Sequence, residues 1–172
     1  MKKIIYFIEF LLVEFLFIIC KVIGYKSASN LGFFIGKNFG NFFRKKKSII
    51  ENLHKSKIVI DTSDNQFVNN VLGNYGRILA EYPFLKDFRK NKLEQFIRID
   101  GIENLDKIKI NNKPVVFISG HFNNFELMAM QIEKHGINLA AIYRPLNNIF
   151  LNKTMERIRT KYICRNQIRK GR

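Results

Sequence analysis

The stretch Ser119-Gly120-His121-Phe122-Asn123-Asn124-Phe125-Glu126 sets an imidazole five residues ahead of a carboxylate, directly after the apolar run Pro114 to Ile118. Side chains five apart on one continuous helix point about 140° apart, so these two meet only if His121 lies in a turn and Glu126 in the first turn of the following helix. The carboxylate then reaches one ring nitrogen, fixes the tautomer and raises the basicity of the other nitrogen. That is what removal of a proton from a hydroxyl requires. The same residues also suit a helix start with no chemistry, since Asn123 and Glu126 have the spacing of a capping box. Arg144, in Tyr143-Arg144-Pro145, is placed to end a later strand at the same rim, where a guanidinium binds phosphate or steadies developing negative charge. A surface salt bridge is the alternative there. His54 and His135 lack such a setting and read as solvent-facing.

These residues need a scaffold. Pro114–Ser119 reads as a strand, and function in an open parallel sheet gathers at the carboxyl ends of strands. Gly120 then lets the chain turn sharply. The segment 123–136 reads as a helix ended by Gly136, 138–144 as a second strand and 147–163 as a second helix. Strand-helix-strand-helix implies an α/β fold with a mainly parallel sheet covered by helices. Upstream, 92–100 reads as a strand and 101–113 as a short helix and loop. The segment 65–82 has helical spacing, with Phe67, Val71, Tyr75, Ile78 and Leu79 on one side, and Pro83 closes it. Gly32, Gly36 and Gly40 recur at one-turn spacing, which lets a helix approach another backbone or a bilayer closely. Arg44 to Ser48 is a cationic cluster, either a solvated helix end or an anchor for anionic headgroups.

Residues 1–24 form a hydrophobic segment read as a membrane-anchoring helix, with 25–172 as the remaining domain. Two acids, Glu9 and Glu14, interrupt the apolar run from Ile4 to Cys20, and no small-residue cleavage site follows, so a cleaved signal peptide is not expected. The thirteen Ile, Leu, Phe and Val residues of that run favour insertion by roughly 4–8 kcal/mol, and two carboxylates oppose it by about 5–7 kcal/mol. Crossing and lying in the interface are therefore closely matched. The formal charge of +16 attracts anionic partners. Nine Lys or Arg face the single acid Glu156 between Ala141 and Arg172. Cys20 and Cys164 have no metal-ligand spacing and suit a reduced compartment. No nucleic-acid-binding motif accompanies the charge.

The segments "SGHFNNFEL" and "YRPLNN" together closely resemble the bacterial lipid A biosynthesis acyltransferase family, whose motif is His-x4-Asp/Glu. His121 and Glu126 occupy the motif positions and Asn124 matches its asparagine, while Asn123 and Phe125 replace the usual glycine and tryptophan. The resemblance takes in "NYGRILAEYP", "IDGIENLDK" and the hydrophobic N-terminus. It implies a partial glycerolipid-acyltransferase-like domain behind an N-terminal hydrophobic helix, at the cytoplasmic face of a bacterial inner membrane. It further implies acyl carrier protein as donor, a lipid A precursor as acceptor, contact with membrane lipids, and no metal or organic cofactor. In that reading His121 is the general base, Glu126 orients it, and Arg144, Asn124 and Gly120 contribute to substrate binding. Family members run on past the point reached by "RNQIRKGR", which leaves a shortened, inactive, membrane-associated relative as the other expectation.

Overall fold

In the computed structural model, residues 2–42, 46–121 and 123–171 are described. The cationic cluster expected at 44–48 lies partly outside them; Lys46, Lys47 and Ser48 open a helix. The chain divides into two units, Leu16–Pro83 and Met1–Phe15 with Phe84–Arg172.

The first helix, α1 (Lys2–Ile23), meets no glycine or proline until Gly24, whose φ of 81° ends it. A helix thus occupies the expected N-terminal position. The anchoring reading gains no support from its composition, because no helix among the described residues is long and apolar enough to cross a membrane.

In the unit Leu16–Pro83, α2 (Tyr25–Phe39) lies against α4 (Asp64–Glu81), and α3 (Lys46–Ser56) joins them. The glycine spacing of α2 serves a backbone approach within the protein. A Cβ added at Gly32 would stand 2.5 Å from the Gly76 carbonyl oxygen, and one at Gly36 would collide with that of Leu72. The buried face of α4 is Val68, Leu72, Gly73, Ile78 and Ala80. Of the face expected from sequence, Ile78 is buried, Phe67, Val71 and Leu79 are partly buried, and Tyr75 is exposed. The contact with α2 is set by where the backbones approach, at Gly73 and Gly76, and not by the largest side chains, so the buried face is turned from the one that bulk suggests. Glu81, 4% exposed, accepts hydrogen bonds from Ser29 Oγ (2.6 Å) and Tyr25 Oη (3.4 Å). Burial, then the Glu81 charge, pushes the Tyr25 phenol up to about 12, so it remains a donor. Ser63 caps α4 by accepting from the Gln66 amide. His54 is exposed as expected and bonds Asp64 at 2.8 Å.

The other unit contains α5 (Leu85–Arg89), α6 (Ile102–Asn111), α7 (Phe125–Lys134), β1 (Ala140–Tyr143), α8 (Ile149–Ile158) and β2 (Asn166–Arg169). The sheet is parallel and two-stranded, with Ala140 opposite Asn166 and Tyr143 opposite Arg169. It forms a βαβ unit in which α8, extended by a π-helical turn over Arg159–Ile163, is the crossover. This is a mostly helical α/β arrangement, parallel as expected but with less sheet. β2 falls in the basic tail, where no strand was expected. Among the described residues, the largest fully buried side chains of this unit are Phe88, Leu85, Met130, Ile163 and Cys164, each large apolar one contributing about 1.5–3 kcal/mol. His135 differs from expectation: its side chain is 22% exposed and its Nε2 lies 2.8 Å from Asp106, tying the end of α7 to α6.

Two expected strands do not form. The stretch 92–100 contains a short 3-10 turn, Glu94–Phe96, and otherwise irregular chain. Pro114–Ser119, the clearest strand by composition, has no strand structure, and Val116 and Ile118 are 88% and 94% exposed. β-branched residues favour an extended chain, but a strand exists only through its ladder, and the sheet here pairs β1 with β2 alone.

Candidate active site

His121 therefore follows an unpaired segment instead of a strand end, and it is exposed. Its ring packs on Phe125, with centroids 4.3 Å apart at 58°. The left-handed residue of the stretch is Asn123, φ 47°. Helix α7 is consequently capped one residue later, at Asn124, whose side chain makes no capping bond. The capping-box spacing of Asn123 and Glu126 is not realised, and Glu126 is left for other work.

That work is visible. Glu126, in the first turn of α7, is 5% exposed. Arg159 donates from Nε (2.8 Å) and Nη2 (2.7 Å) to its Oε1. A buried carboxylate needs such a partner, because an uncompensated internal charge costs several kcal/mol. Arg159 was not singled out from the sequence. Its signal is periodic: it follows buried Met155 by one turn of α8, on the inward face, where a cation demands an internal acid.

A cavity of about 390 Å³ gathers Gly120, His121, Glu126, Tyr143, Arg144 and Arg159. Four of the five residues proposed from sequence thus share one space, although the strand meant to deliver two of them is absent. Asn124 stands at the α7 N-cap and is not among the lining residues. Arg144 is exposed just beyond β1, and no acidic partner is shown for it among the described residues. Behind it, Tyr143 donates to Glu156, which also holds Arg169 Nη2 at 2.8 and 3.0 Å. The tyrosine hydrogen bond, with help from Asn152 and Arg169, keeps the Glu156 carboxyl below its usual range. The Arg159 guanidinium lies 6.0 Å from the Tyr143 ring centre. Arg144 and Arg159 line the same cavity as the exposed imidazole, and Glu126, expected to reach a ring nitrogen of His121, is bonded to Arg159 instead, with no hydrogen bond to the ring shown among the described residues. Such a space suits an anionic substrate and a proton transfer at its mouth. A larger cleft of about 480 Å³, lined by Phe96, Leu105, Phe117 and Leu127, shares Met128 with this cavity. It lacks the imidazole and both arginines of the site. Among the described residues no group of three or more His, Cys, Asp or Glu side chains could hold a metal ion.

Residues 1–166 match the family model described as bacterial lipid A biosynthesis acyltransferase. No curated protein and no solved structure gives a match.

Proposed function

Because the chain belongs to the bacterial lipid A biosynthesis acyltransferase family, we propose that it transfers a fatty acyl chain from an acyl carrier protein thioester to a hydroxyl of a lipid A precursor, at the cytoplasmic surface of the inner membrane. Membership indicates the reaction class and a lipid A precursor as acceptor. The donor, the location and the residue roles are the present reading. The observation that carries it is the single cavity shared by His121, Glu126 and Arg144.

In this mechanism the His121 imidazole takes the hydroxyl proton of the acceptor as its oxygen attacks the thioester carbonyl. The tetrahedral oxyanion gathers charge beside Arg144, which also suits an acceptor phosphate. Collapse breaks the carbon–sulfur bond, and the departing thiolate takes the proton from the imidazolium. In this reading Glu126, itself paired with Arg159, orients the imidazole from within the cavity they share. The structure shows no hydrogen bond between Glu126 and the ring, and one is expected to form when substrate is bound, since catalytic contacts often align only then. The acidic donor and the phosphorylated acceptor would both be steered by the positive surface.

The test is acyl transfer by the full chain, read by mass spectrometry of the lipid product. His121→Ala is expected to lower the rate by about 10²–10⁴; a rate within twofold of the parent would remove the base from His121. A second reading, a catalytically silent membrane-associated protein, is favoured by the exposed Val116 and Ile118 beside the site, which leave His121 on an unbraced segment. Turnover by the purified chain would exclude it.

A further inference from the structure

We propose that Arg159 is a positioning residue that controls the contact between Glu126 and His121. An anionic substrate group entering beside Arg144 draws the Arg159 guanidinium from Glu126, and the released carboxylate accepts a hydrogen bond from the His121 ring. This deepens the acyl-transfer reading and rests on it, but its test needs no turnover. The carboxylate that should orient the imidazole is held by a guanidinium instead. Arg159 brings Nε to 2.8 Å and Nη2 to 2.7 Å, both on Oε1.

The exchange needs little movement. The His121 ring packs on Phe125, centroids 4.3 Å apart, so it already lies over the first turn of α7, beside the residue it must reach. On the other side, the Arg159 guanidinium stands 6.0 Å from the Tyr143 ring centre. Tyr143 ends β1 and Arg144 follows it directly. Arg159 is therefore placed between the carboxylate and the strand end that bears the second arginine. It also opens the π-helical turn Arg159–Ile163, a geometry that is rare within helices and recurs at functional positions.

Charge sets what drives the exchange. Glu126 from α7 is the sole carboxylate lining the cavity among the described residues. Facing it are Arg159 from the π-helical turn, Arg144 and the Tyr143 phenol from β1, and His121; Gln167 from β2 adds no charge. A phosphate offers a guanidinium separate oxygens for a forked pair, where Glu126 presents Oε1 to both nitrogens. Every charge keeps a partner: Arg159 and Arg144 take the anion as the imidazole takes Glu126. The buried carboxylate is never stranded, which is what such an exchange requires.

Inorganic phosphate is the probe, titrated into the full chain by calorimetry while the histidine ring nitrogens are read by nitrogen-15 NMR. His54 and His135, each with Nε2 2.8 Å from an aspartate, give the signature of a carboxylate-bonded ring in the same spectrum. Phosphate is expected to move the His121 signal toward theirs in the parent and not in Glu126→Gln. A signal that stays in place, or moves equally in Glu126→Gln, would overturn the proposal. Affinity gives the second arm. Glu126→Gln is expected to tighten phosphate binding about tenfold by releasing Arg159, and less than about threefold when Arg159→Met is also present. Equal tightening in both backgrounds would reveal charge repulsion alone and overturn the proposal, as would a parent that binds no phosphate. The NMR arm uses no Arg159 variant, so it decides the matter if Arg159→Met fails to fold. A chain that makes the exchange without transferring acyl groups would sink the catalytic reading and leave this one standing, and acyl transfer without the exchange would do the reverse.

Discussion

At the scale of single residues, the site depends on which charges are already paired. Arg159 and Glu126 form the buried pair, with side chains 17% and 7% exposed. Removing one partner strands the other, so Arg159→Ala is expected to cost about 3–5 kcal/mol of stability, measurable by urea unfolding. Arg159→Met with Glu126→Leu is expected to recover much of that stability without recovering acyl transfer. Glu156 gives a pH prediction. Its carboxyl is held below its usual range in the folded protein, first by the Tyr143 hydrogen bond. A depressed folded-state value contributes stability above the unfolded carboxyl value, about 4.3, and that contribution is lost as pH falls through the folded value. Glu156→Gln is therefore expected to lower the melting temperature at pH 7 and to flatten its decline on acidification. A melting temperature unchanged at pH 7 would show that this carboxylate contributes nothing.

At the scale of elements, two contacts are open to single substitutions. Gly76→Ala places a Cβ against the Gly32 carbonyl oxygen, and overpacking of this kind costs about 1–3 kcal/mol. An unchanged unfolding midpoint would mean that α2 and α4 separate freely. Asn148 both caps α8, accepting from the Phe150 and Leu151 amides at 3.1 and 3.2 Å, and holds α1 by donating to the Tyr6 carbonyl and to Glu9. Asn148→Ala is expected to cost more than the 0.5–2 kcal/mol typical of a cap alone, with earlier hydrogen exchange in residues 2–15. How far the sequence could be read follows from the same contacts. α4, α6, α7, β1 and α8 were legible because apolar patterning, the closing Pro83 or the terminal Gly136 marks them locally. Pro114–Ser119 was not, because its Val, Val, Phe and Ile report a preference for extension, while pairing depends on a neighbour that no local signal reveals. Asn123 reads as a cap by composition, but its left-handed conformation moved the helix start to Asn124. His121, Glu126 and Arg144 were legible as a set through motif and order. Arg159 was not, because only the α8 crossover brings it back over the first turn of α7.

At the scale of the molecule, the charge of +16 sets the conditions of use. Attraction between exposed charges fades as the screening length shortens from about 10 Å at 0.1 M salt to 3 Å at 1 M. The KM for a phosphorylated acceptor is expected to rise with salt more steeply than kcat falls, since steering acts on encounter and not on proton transfer. The most direct measurement of the central claim compares the full chain with His121→Ala and Arg144→Ala in one assay of acyl transfer to a lipid A precursor. The predicted result is a loss of about 10²–10⁴ in kcat for the histidine variant and, for the arginine variant, a loss in kcat/KM that is smaller for an acceptor lacking phosphate. Equal rates for all three proteins would contradict the account.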